Sequence, residues 1–524
     1  MRSIGPHKVG LPNYLSLFML MLICCCSAFA RTSHVRAASE QKASVGTPLF
    51  ERGLYRGAAD CPIFSFSQKN VPAQGAFGGY RLKGLIVGGY AKDRELRDAS
   101  PHNSPLRNNS LVLYGGLLEG SAHGALGEGP ASAEGNSLLL DDRYAFITGP
   151  PLPFPAVLTG GMAQEVRHNI LIIRSGTIKG DVAGAYGQNA ALGNIVSLEG
   201  GNVEGAVLGG GSLAGPSSSN TVFMSGGTAR EVIGGACAQA GAASNNIVFF
   251  SGGRSGGITG GRSEKNHASG NVVHISGGSI TSLRGDNSPA HVFGGRSLAA
   301  SATNNKINLS SDLNVRDCIF YGGGTGQDVN APSPHDVISG NTLTLEEDYR
   351  GILPAARNLE SLIIESAATV VPPGLHSLPA SLKRVVLDGT LLFTGRQPGL
   401  LRFSETEFVG KDGWVEIRLH AGKQLQADKI VFDRGALVLN PIQIHLANPQ
   451  DLVPNTPVLV MEIDQASTMR GINRRHALVW AKKPELQDKE AEKYELHFIL
   501  KLGGDDKDHW LVVKRQIPAR LPQQ

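Results

Sequence analysis

One phrase occurs four times between residues 194 and 278, and it restricts the fold more than any other feature of the sequence. Each copy begins with Asn and has a pair of glycines six and seven positions later, and the copies begin 26, 26 and 25 residues apart. A fixed period in this range predicts a repeat architecture whose copies stack on one another. The copies are Asn194 with Gly200 and Gly201, Asn220 with Gly226 and Gly227, Asn246 with Gly252 and Gly253, and Asn271 with Gly277 and Gly278.

Within each copy the second and fourth positions after the Asn are always apolar, whereas the first and third positions vary. A period of two predicts a β-strand with one buried face and one free face. We therefore expect Val222, Val248 and Val273 to stack in one column of the core. The glycine pair predicts a turn after the strand, because glycine accepts a positive φ without strain.

A second, shorter segment follows each turn and ends in another glycine pair, as in Val207–Leu208–Gly209–Gly210. Two strands and two tight turns fit one rung of a coil whose strands pair with the rungs above and below. The sequence therefore predicts an all-β fold, a parallel β-solenoid with a rise of about 4.8 Å per rung. In such a stack the aligned Asn side chains would form a ladder, although each Asn could also be only a turn former.

The repeat divides the chain into five predicted parts. Residues 1–30 read as a signal peptide and residues 31–80 as an N-terminal extension and cap. Residues 81–399 carry the solenoid repeats, with a further full copy at Asn109 and less regular copies at Asn136, Asn169, Asn305 and Asn341. Residues 400–515 are richer in charge and poorer in Gly, and we expect them to cap the solenoid and to fold first. Trp414 and Trp510 would anchor that cap. Residues 516–524 form a tail.

The first 30 residues predict export. Arg2 and Lys8 precede an apolar run, and Ala28 and Ala30 flank a small-residue cleavage site. The run is too short for a permanent membrane-spanning helix, so we expect no integral membrane segment after cleavage. Localisation is then the periplasm, the cell surface or the medium.

Composition argues against several classes of function. The chain has a net charge of +4 with Lys and Arg scattered along it, which does not predict a nucleic-acid partner. Cys61, Cys237 and Cys318 remain after cleavage and are too far apart for a disulfide framework. The turns lack the acidic oxygens that calcium requires, and no Cys/His cluster has metal-site spacing. We expect no metal and no cofactor.

Three patterns could carry chemistry or binding. Residues 253–257 match the spacing of a nucleophile elbow around Ser255, but a repeat turn supplies no helix after the serine, so no catalytic residue is predicted. The charged residues that we expect to point outward lack an accompanying carboxylate cluster; they are Arg230, Glu231, Arg254, Arg262 and Arg296. The tripeptide Arg284, Gly285 and Asp286 lies in a predicted loop and is a candidate cell-attachment site.

The Asn-and-Gly rungs over residues 80–515 resemble the passenger domain of Gram-negative autotransporters, of the pertactin-like β-helix type. Segments around Ala427 and Trp510 resemble the autochaperone region of that family. The resemblance implies an exported or surface rod, often an adhesin or virulence factor at the outer membrane. We expect the C-terminal translocator barrel of the family to be missing, since the sequence given stops at Gln524.

The sequence therefore predicts a secreted or surface protein that acts in adhesion without catalysis. Its partner would be a host-cell or matrix surface protein or glycan. Two alternatives stay open. One is a β-helical glycan hydrolase or lyase, which an acidic and basic cluster along one face would favour over a smooth Gly/Ser/Asn face. The other is a truncated passenger that is not exported.

Overall fold

The structure of the protein is a computed structural model. The chain forms two compact units, Met1–Arg52 and Gly53–Gln524. All described residues belong to the second unit. They are residues 55–57, 61–65, 74–91, 106–127, 131–141, 143–148, 156–282, 288–325, 337–372, 381–422, 424–470, 472–482, 486, 494–502 and 506–517. The predicted signal peptide lies outside them, as do residues 518–524 of the predicted tail.

Parallel pairing begins among the N-terminal strands. The first two strands pair antiparallel, the second pairs parallel with the third, and the third pairs parallel with the fourth along nearly its whole length. The strands are β1 (Tyr55–Gly57), β2 (Cys61–Ser65), β3 (Gln74–Ala91), β4 (Ser110–Gly127), β5 (Ser132–Glu134), β6 (Ser137–Leu140), β7 (Phe146–Thr148), β8 (Leu158–Arg167), β9 (Ile170–Ile173), β10 (Thr177–Lys179) and β11 (Val182–Leu192).

The central strands repeat as a group that consists of a four-residue strand, a longer strand or pair of strands, and a two-residue strand. Equivalent strands of successive rungs pair in parallel, which confirms the predicted solenoid. They are β12 (Ile195–Leu198), β13 (Asn202–Ser212), β14 (Ser217–Ser218), β15 (Thr221–Met224), β16 (Thr228–Cys237), β17 (Ala243–Ser244), β18 (Ile247–Phe250), β19 (Arg254–Ser255), β20 (Gly257–Ser263), β21 (Ala268–Ser269), β22 (Val272–Ile275), β23 (Ser279–Ile280), β24 (Ala290–Ser297), β25 (Ala302–Thr303), β26 (Lys306–Leu309), β27 (Cys318–Thr325), β28 (Ile338–Ser339) and β29 (Thr342–Leu345).

The predicted inward register of the four-residue strands is confirmed. Val222 pairs with Val248, Val248 pairs with Val273, and all three side chains are fully buried. The residues between them, such as Phe223 and Phe249, point to the other face of the sheet and are partly exposed. A solenoid core built from such columns is buried only because each rung covers the next.

The predicted Asn ladder is present and has nine members in the described residues. In each link the backbone N–H and the side-chain amide of one Asn both donate to Oδ1 of the Asn in the next rung. The backbone links measure 2.9–3.1 Å. The amide links measure 2.7–3.1 Å. All nine side chains are buried; they are Asn109, Asn136, Asn169, Asn194, Asn220, Asn246, Asn271, Asn305 and Asn341.

The two glycine pairs of each rung have different roles, and one of them was misassigned from sequence. The first pair does form the turn, since Gly201, Gly227 and Gly253 have φ of +83°, +75° and +81°. The second pair is not a turn but lies inside a strand, as Gly209 and Gly210 do within β13. A Cβ at Gly210 would lie 2.4 Å from Oδ1 of Asn220, so glycine is required there because the Asn ladder packs directly on the strand.

The number of strands per rung also differs from the expected two. The strand that the sequence did not reveal has only two residues, such as Ser217 and Ser218 in β14 or Ala243 and Ser244 in β17. Two residues are too few to show an alternation of apolar and polar positions. The third strand forms the side of the rung that leads back to the Asn ladder.

The parallel pairing continues beyond the ladder. Two further four-residue strands, which begin at Ser361 and Arg384, follow the ladder, and each is preceded by a buried leucine two residues earlier, Leu359 and Leu382. The remaining strands are β30 (Arg350–Ile352), β31 (Ala355–Arg357), β32 (Ser361–Ile364), β33 (Thr369–Val371), β34 (Arg384–Leu387), β35 (Thr390–Leu392), β36 (Leu400–Ser404), β37 (Glu407–Gly410), β38 (Trp414–Ile417), β39 (Leu419–His420), β40 (Gln426–Ala427), β41 (Lys429–Asp433), β42 (Leu437–Leu439), β43 (Ile442–Leu446), β44 (Val458–Asp464), β45 (Thr468–Arg470), β46 (Leu478–Trp480), β47 (Tyr494–Leu502) and β48 (Lys507–Gln516). Short 3-10 helices occupy Pro449–Asp451 and Arg474–His476.

Antiparallel pairing returns at the C-terminal end, where β48 lies between β44 and β47. Trp510 on β48 is buried, and its indole nitrogen donates to the carbonyl of Arg474 at 3.0 Å. Trp414 is 37% exposed, so it does not anchor a cap, because it lies on the outward face of β38. The domain boundaries, both caps and the folding order stay predictions.

Candidate functional site

The candidate cell-attachment residues Arg284, Gly285 and Asp286 lie outside the described residues. The residues on either side are described, and Oγ of Ser282 and Oγ of Ser288 are 3.2 Å apart. A contact of this length between the two flanking residues brings the ends of the segment together. The described residues on the two sides of the tripeptide are therefore close in space, and the loop itself stays a prediction.

Ser255, the centre of the nucleophile-elbow pattern, is buried in β19 and followed by strand β20. Its Oγ donates a 2.7 Å hydrogen bond to the carbonyl of Gly257. This hydroxyl stabilises the bend between the two strands. The local structure lacks the strand-to-helix turn that exposes a nucleophile, in agreement with the sequence analysis.

A row of charged side chains crosses neighbouring rungs on the outer face of the longer strands. Arg230 lies 3.5 Å from Asp181. Arg262 lies 2.9 Å from Glu264 and 3.9 Å from Glu231. Carboxylates therefore do accompany Arg230 and Arg262, contrary to expectation. Asp181 and Glu231 come from other rungs, whereas Glu264 is two residues from Arg262. Ion pairing with the arginines balances the charge of these carboxylates.

The other two predicted outward arginines contact neutral groups. Arg254 is exposed and its Nε donates to Oγ1 of Thr281 at 3.1 Å. The guanidinium of Arg296 lies over the ring of Phe293, 5.2 Å from its centroid. The four arginines and Glu231 contact different partners, so they form a charged face and not a single centre.

His123 is a buried titratable group near the N-terminal end of the solenoid. Its Nδ1 lies 2.8 Å from Oγ1 of Thr159, and burial lowers the pKa of the imidazole to about 3 from an ordinary value of 6.5. The folded chain thus holds His123 neutral, whereas the unfolded chain protonates it below about pH 6.5.

We expect acid to destabilise the fold through His123. The stability that its lowered pKa supplies is complete above about pH 6.5 and is lost progressively toward about pH 3, so about 2 kcal/mol should be lost at about pH 5. Urea unfolding between pH 8 and pH 4 measures this loss. A His123→Gln variant should show a smaller decrease in unfolding free energy over that range. An identical pH slope in the variant would rule out His123 as the titrating group.

Several carboxylates meet beside β29 and β32. Burial, and then the negative charges of Glu346, Glu347 and Asp388, raise the pKa of Glu365 above its ordinary value of 4.5. The ionised form of Glu365 therefore opposes folding. Its favourable contribution is complete below about pH 4.5 and is lost as the pH rises through the folded pKa.

We expect Glu365→Gln to raise the melting temperature slightly at pH 7, because the amide removes a negative charge from this group of carboxylates. The difference from wild type should disappear below about pH 4 and should shrink in high salt. Glu204→Gln, an exposed substitution on β13, is the control and should leave the melting temperature unchanged. Melting curves at several pH values measure the difference in melting temperature between the variant and wild type. A variant that melts at a lower temperature than wild type at pH 7 would contradict the prediction.

The most distinctive surface is the outer side of the four-residue strands, which we call the apolar face. It consists of the side chains at the first and third positions after each ladder Asn. Across β9, β12, β15, β18 and β22 these positions are largely apolar and only half-buried; they include Ile170, Ile195, Phe223, Ile247, Phe249 and Val272. Such a surface measures about 24 by 13 Å from strand spacing, or about 300 Å², which is the size of patch that often marks an interaction site.

The third-position side chains form an aromatic stack within the apolar face. The rings of Phe223 and Phe249 are 5.1 Å apart and nearly parallel, and the rings of Phe249 and His274 are 5.0 Å apart and nearly parallel. The stack ends in a polar group, where Nδ1 of His274 lies 3.2 Å from Nδ2 of Asn308 and 3.6 Å from Glu346. Because the rings cover one another's faces, the stack presents ring edges to solvent.

The sequence analysis treated the first and third positions as free to vary and so overlooked the apolar face. The signal was present in the sequence, since Ile195, Phe223, Ile247 and Phe249 are apolar at positions that point away from the core. Solvent-facing positions of a strand are usually polar, and a run of apolar ones predicts an interaction surface.

Within the described residues no group of three or more His, Cys, Asp or Glu side chains could hold a metal ion. The part of the chain that the structure describes contains no helix of the length and hydropathy needed to cross a bilayer. No protein-family model matches the chain, and no curated protein matches it at a significant level.

Proposed function

We propose that this chain is an exported β-helical protein of the autotransporter-passenger type that acts in adhesion or surface interaction and performs no catalysis. The parallel solenoid and its Asn-and-Gly rungs support the passenger-type assignment, and the apparent signal sequence supports export. The predicted location is the periplasm, the cell surface or the medium. Protease treatment of intact cells tests this location, because a surface chain is digested and a periplasmic one is protected.

The apolar face is the observation that carries the proposed function. Part of the apolar surface of Phe223, Phe249 and Ile247 is exposed to water. A bound partner would cover it, and the binding free energy would gain about 25 cal/mol for each Å² removed from solvent. Sugar rings bind aromatic residues through the ring faces, and in this stack the internal faces are already covered. The face therefore favours a protein surface over a glycan.

Binding of the purified chain to cultured epithelial cells and to fibronectin-coated wells tests the proposed function. We expect Phe249→Asp to reduce binding at least ten-fold, because the carboxylate places a charge in the centre of the apolar face. Ser244→Asp is the matched control, since Ser244 is a half-buried outward residue on the two-residue strand β17. Equal binding by wild type and Phe249→Asp would show that the apolar face takes no part in adhesion.

The tripeptide at residues 284–286 gives a separate prediction. If it serves cell attachment, Asp286→Glu should weaken adhesion to integrin-bearing cells several-fold and should leave the melting temperature unchanged, because the sequence predicts a loop at this position. A competing soluble peptide with the same three residues should reproduce the loss. Unchanged adhesion in the variant would make the tripeptide a coincidence.

A glycan hydrolase or lyase is the second candidate function, because the charged row does align along one face. Glu231 lies beside Arg262 and accepts a hydrogen bond from Oγ1 of Thr259 at 3.3 Å. Such a row could bind an acidic polysaccharide and supply a carboxylate for proton transfer. Incubation with pectin and alginate, with release of reducing ends or of unsaturated products as the measurement, tests it. Turnover that Glu231→Gln abolishes would favour the enzyme over the adhesin.

A further inference from the structure

We infer that the apolar face binds a second copy of this chain, in a parallel dimer whose two-fold axis runs along the stacking direction. The inference rests on the proposed function, because it names a second copy as the protein that covers this face in the purified chain, and a cell-surface partner would replace that copy. Three properties of the face support it: its area, its two columns of unequal size and the distribution of its charges.

The area of the whole face matches that of a stable dimer. The apolar face is part of the outer surface of one parallel sheet of 14 strands, which runs from β4 through β45 in the described residues. At the usual strand spacing and rise this outer surface is about 62 Å long and about 13 Å wide, or about 800 Å², which equals the area that each partner of a standard interface buries. The central patch alone is less than half that size, so a stable dimer needs the full length of the sheet.

Two columns of side chains run along this face, and they differ in size. The third positions carry the rings of Phe223, Phe249 and His274, whereas the first positions of the same strands carry smaller side chains, as Thr221 and Val272 do. A two-fold axis parallel to the stacking direction places the large column of each copy opposite the small column of the other. The face is therefore complementary to itself, as a two-fold interface requires.

This arrangement also keeps like charges apart. Lys306 at a first position would lie opposite Asn308 of the second copy. Arg384 and Glu407 form an ion pair at 3.4 Å within one chain and would lie opposite Val386 and Val409. No first-position charge meets a charge of the same sign at a third position, so association is not opposed by repulsion across the axis.

A second apolar stretch extends the contact beyond the ladder. Third positions of β32, β34, β37 and β42 carry further aliphatic side chains, namely Ile363, Val386, Val409 and Leu439. The polar strands β26 and β29 separate this stretch from the aromatic stack. A partner of the same length, with two apolar stretches separated by a polar one, would match both stretches. A second copy meets this requirement.

Sedimentation of the purified full chain tests the dimer. We expect a mass of two chains at micromolar concentration, and we expect Phe249→Asp to weaken the association at least ten-fold while keeping the circular dichroism of a folded β-protein. Ser244→Asp should sediment like wild type. A wild-type chain that sediments as a monomer, or a Phe249→Asp chain that stays a dimer, would overturn the inference.

Cysteine pairing tests the parallel orientation. In the inferred dimer residue 221 of one copy faces residue 223 of the other, so a mixture of Thr221→Cys and Phe223→Cys chains should form disulfide-linked dimers under mild oxidation. Each variant alone should form far fewer, and wild type gives the background from the native cysteines, of which Cys237 and Cys318 are buried. No excess of linked dimers in the mixture would refute the parallel packing.

The two proposals can fail separately. A monomeric chain whose Phe249→Asp variant loses binding to cells would keep the apolar face as an adhesion surface and would exclude a second copy as its occupant. A dimeric chain whose Phe249→Asp variant dissociates but binds cells like wild type would establish the dimer and would place adhesion elsewhere.

Discussion

Replacing Val248 with Asp should unfold the central rungs. Val248 is fully buried between Val222 and Val273 in one column of the core. An Asp at this position would bury a carboxylate without a partner, which costs several kcal/mol and is comparable to the whole stability of many domains. We expect loss of the β-sheet circular dichroism signal at room temperature, or a melting temperature reduced by 10 °C or more, at about 2–4 °C per kcal/mol.

Phe249→Asp is the matched control for this prediction, because residue 249 is the next residue of the same strand and points outward. It should stay folded, and its melting temperature should decrease far less than that of Val248→Asp. A one-residue shift of register exchanges the two faces of a strand. If Val248→Asp melted like wild type and Phe249→Asp unfolded, the inward register described above would be wrong.

Removing one amide from the middle of the Asn ladder should have the second-largest effect. Asn220 accepts hydrogen bonds from the backbone N–H and the side-chain amide of Asn194, and it donates to Asn246 and to the carbonyl of Ala191. Asn220→Ala would leave two buried donors of Asn194 without that acceptor, at about 1–3 kcal/mol each. We expect a total loss of about 2–6 kcal/mol, measured by chemical unfolding.

Asn245→Gly serves as the control for the ladder variant. Asn245 precedes the ladder residue Asn246, is exposed and has a φ of +54°, which glycine also adopts readily. Its replacement should cost well under 1 kcal/mol, since no buried hydrogen bond is lost. Equal destabilisation by Asn220→Ala and Asn245→Gly would show that the ladder contributes little to stability.

The sequence predicted the features that depend on local periodicity. Alternation around Val222 and Val248 determined which side chains are buried, and the recurring Asn determined which residues align from rung to rung. Features that depend on contacts between rungs were harder to predict. Gly210 is a glycine because Asn220 packs against it, and this contact becomes visible only after the chain closes a rung. The aromatic stack depends on the same stacking, since Phe223 and Phe249 lie 26 positions apart.

The Asn ladder also has a consequence for how this chain can diverge. Its neighbouring members are separated by 25 residues between Asn169 and Asn194 and by 36 between Asn305 and Asn341, yet every link has the same geometry. One column therefore sets the alignment of the rungs, while the chain between its members is free to differ in length. Lengthening a surface loop costs little, about 0.6 kcal/mol for each doubling. Insertions can thus accumulate outside an unchanged core, and new surface segments can be gained or exchanged without refolding the solenoid.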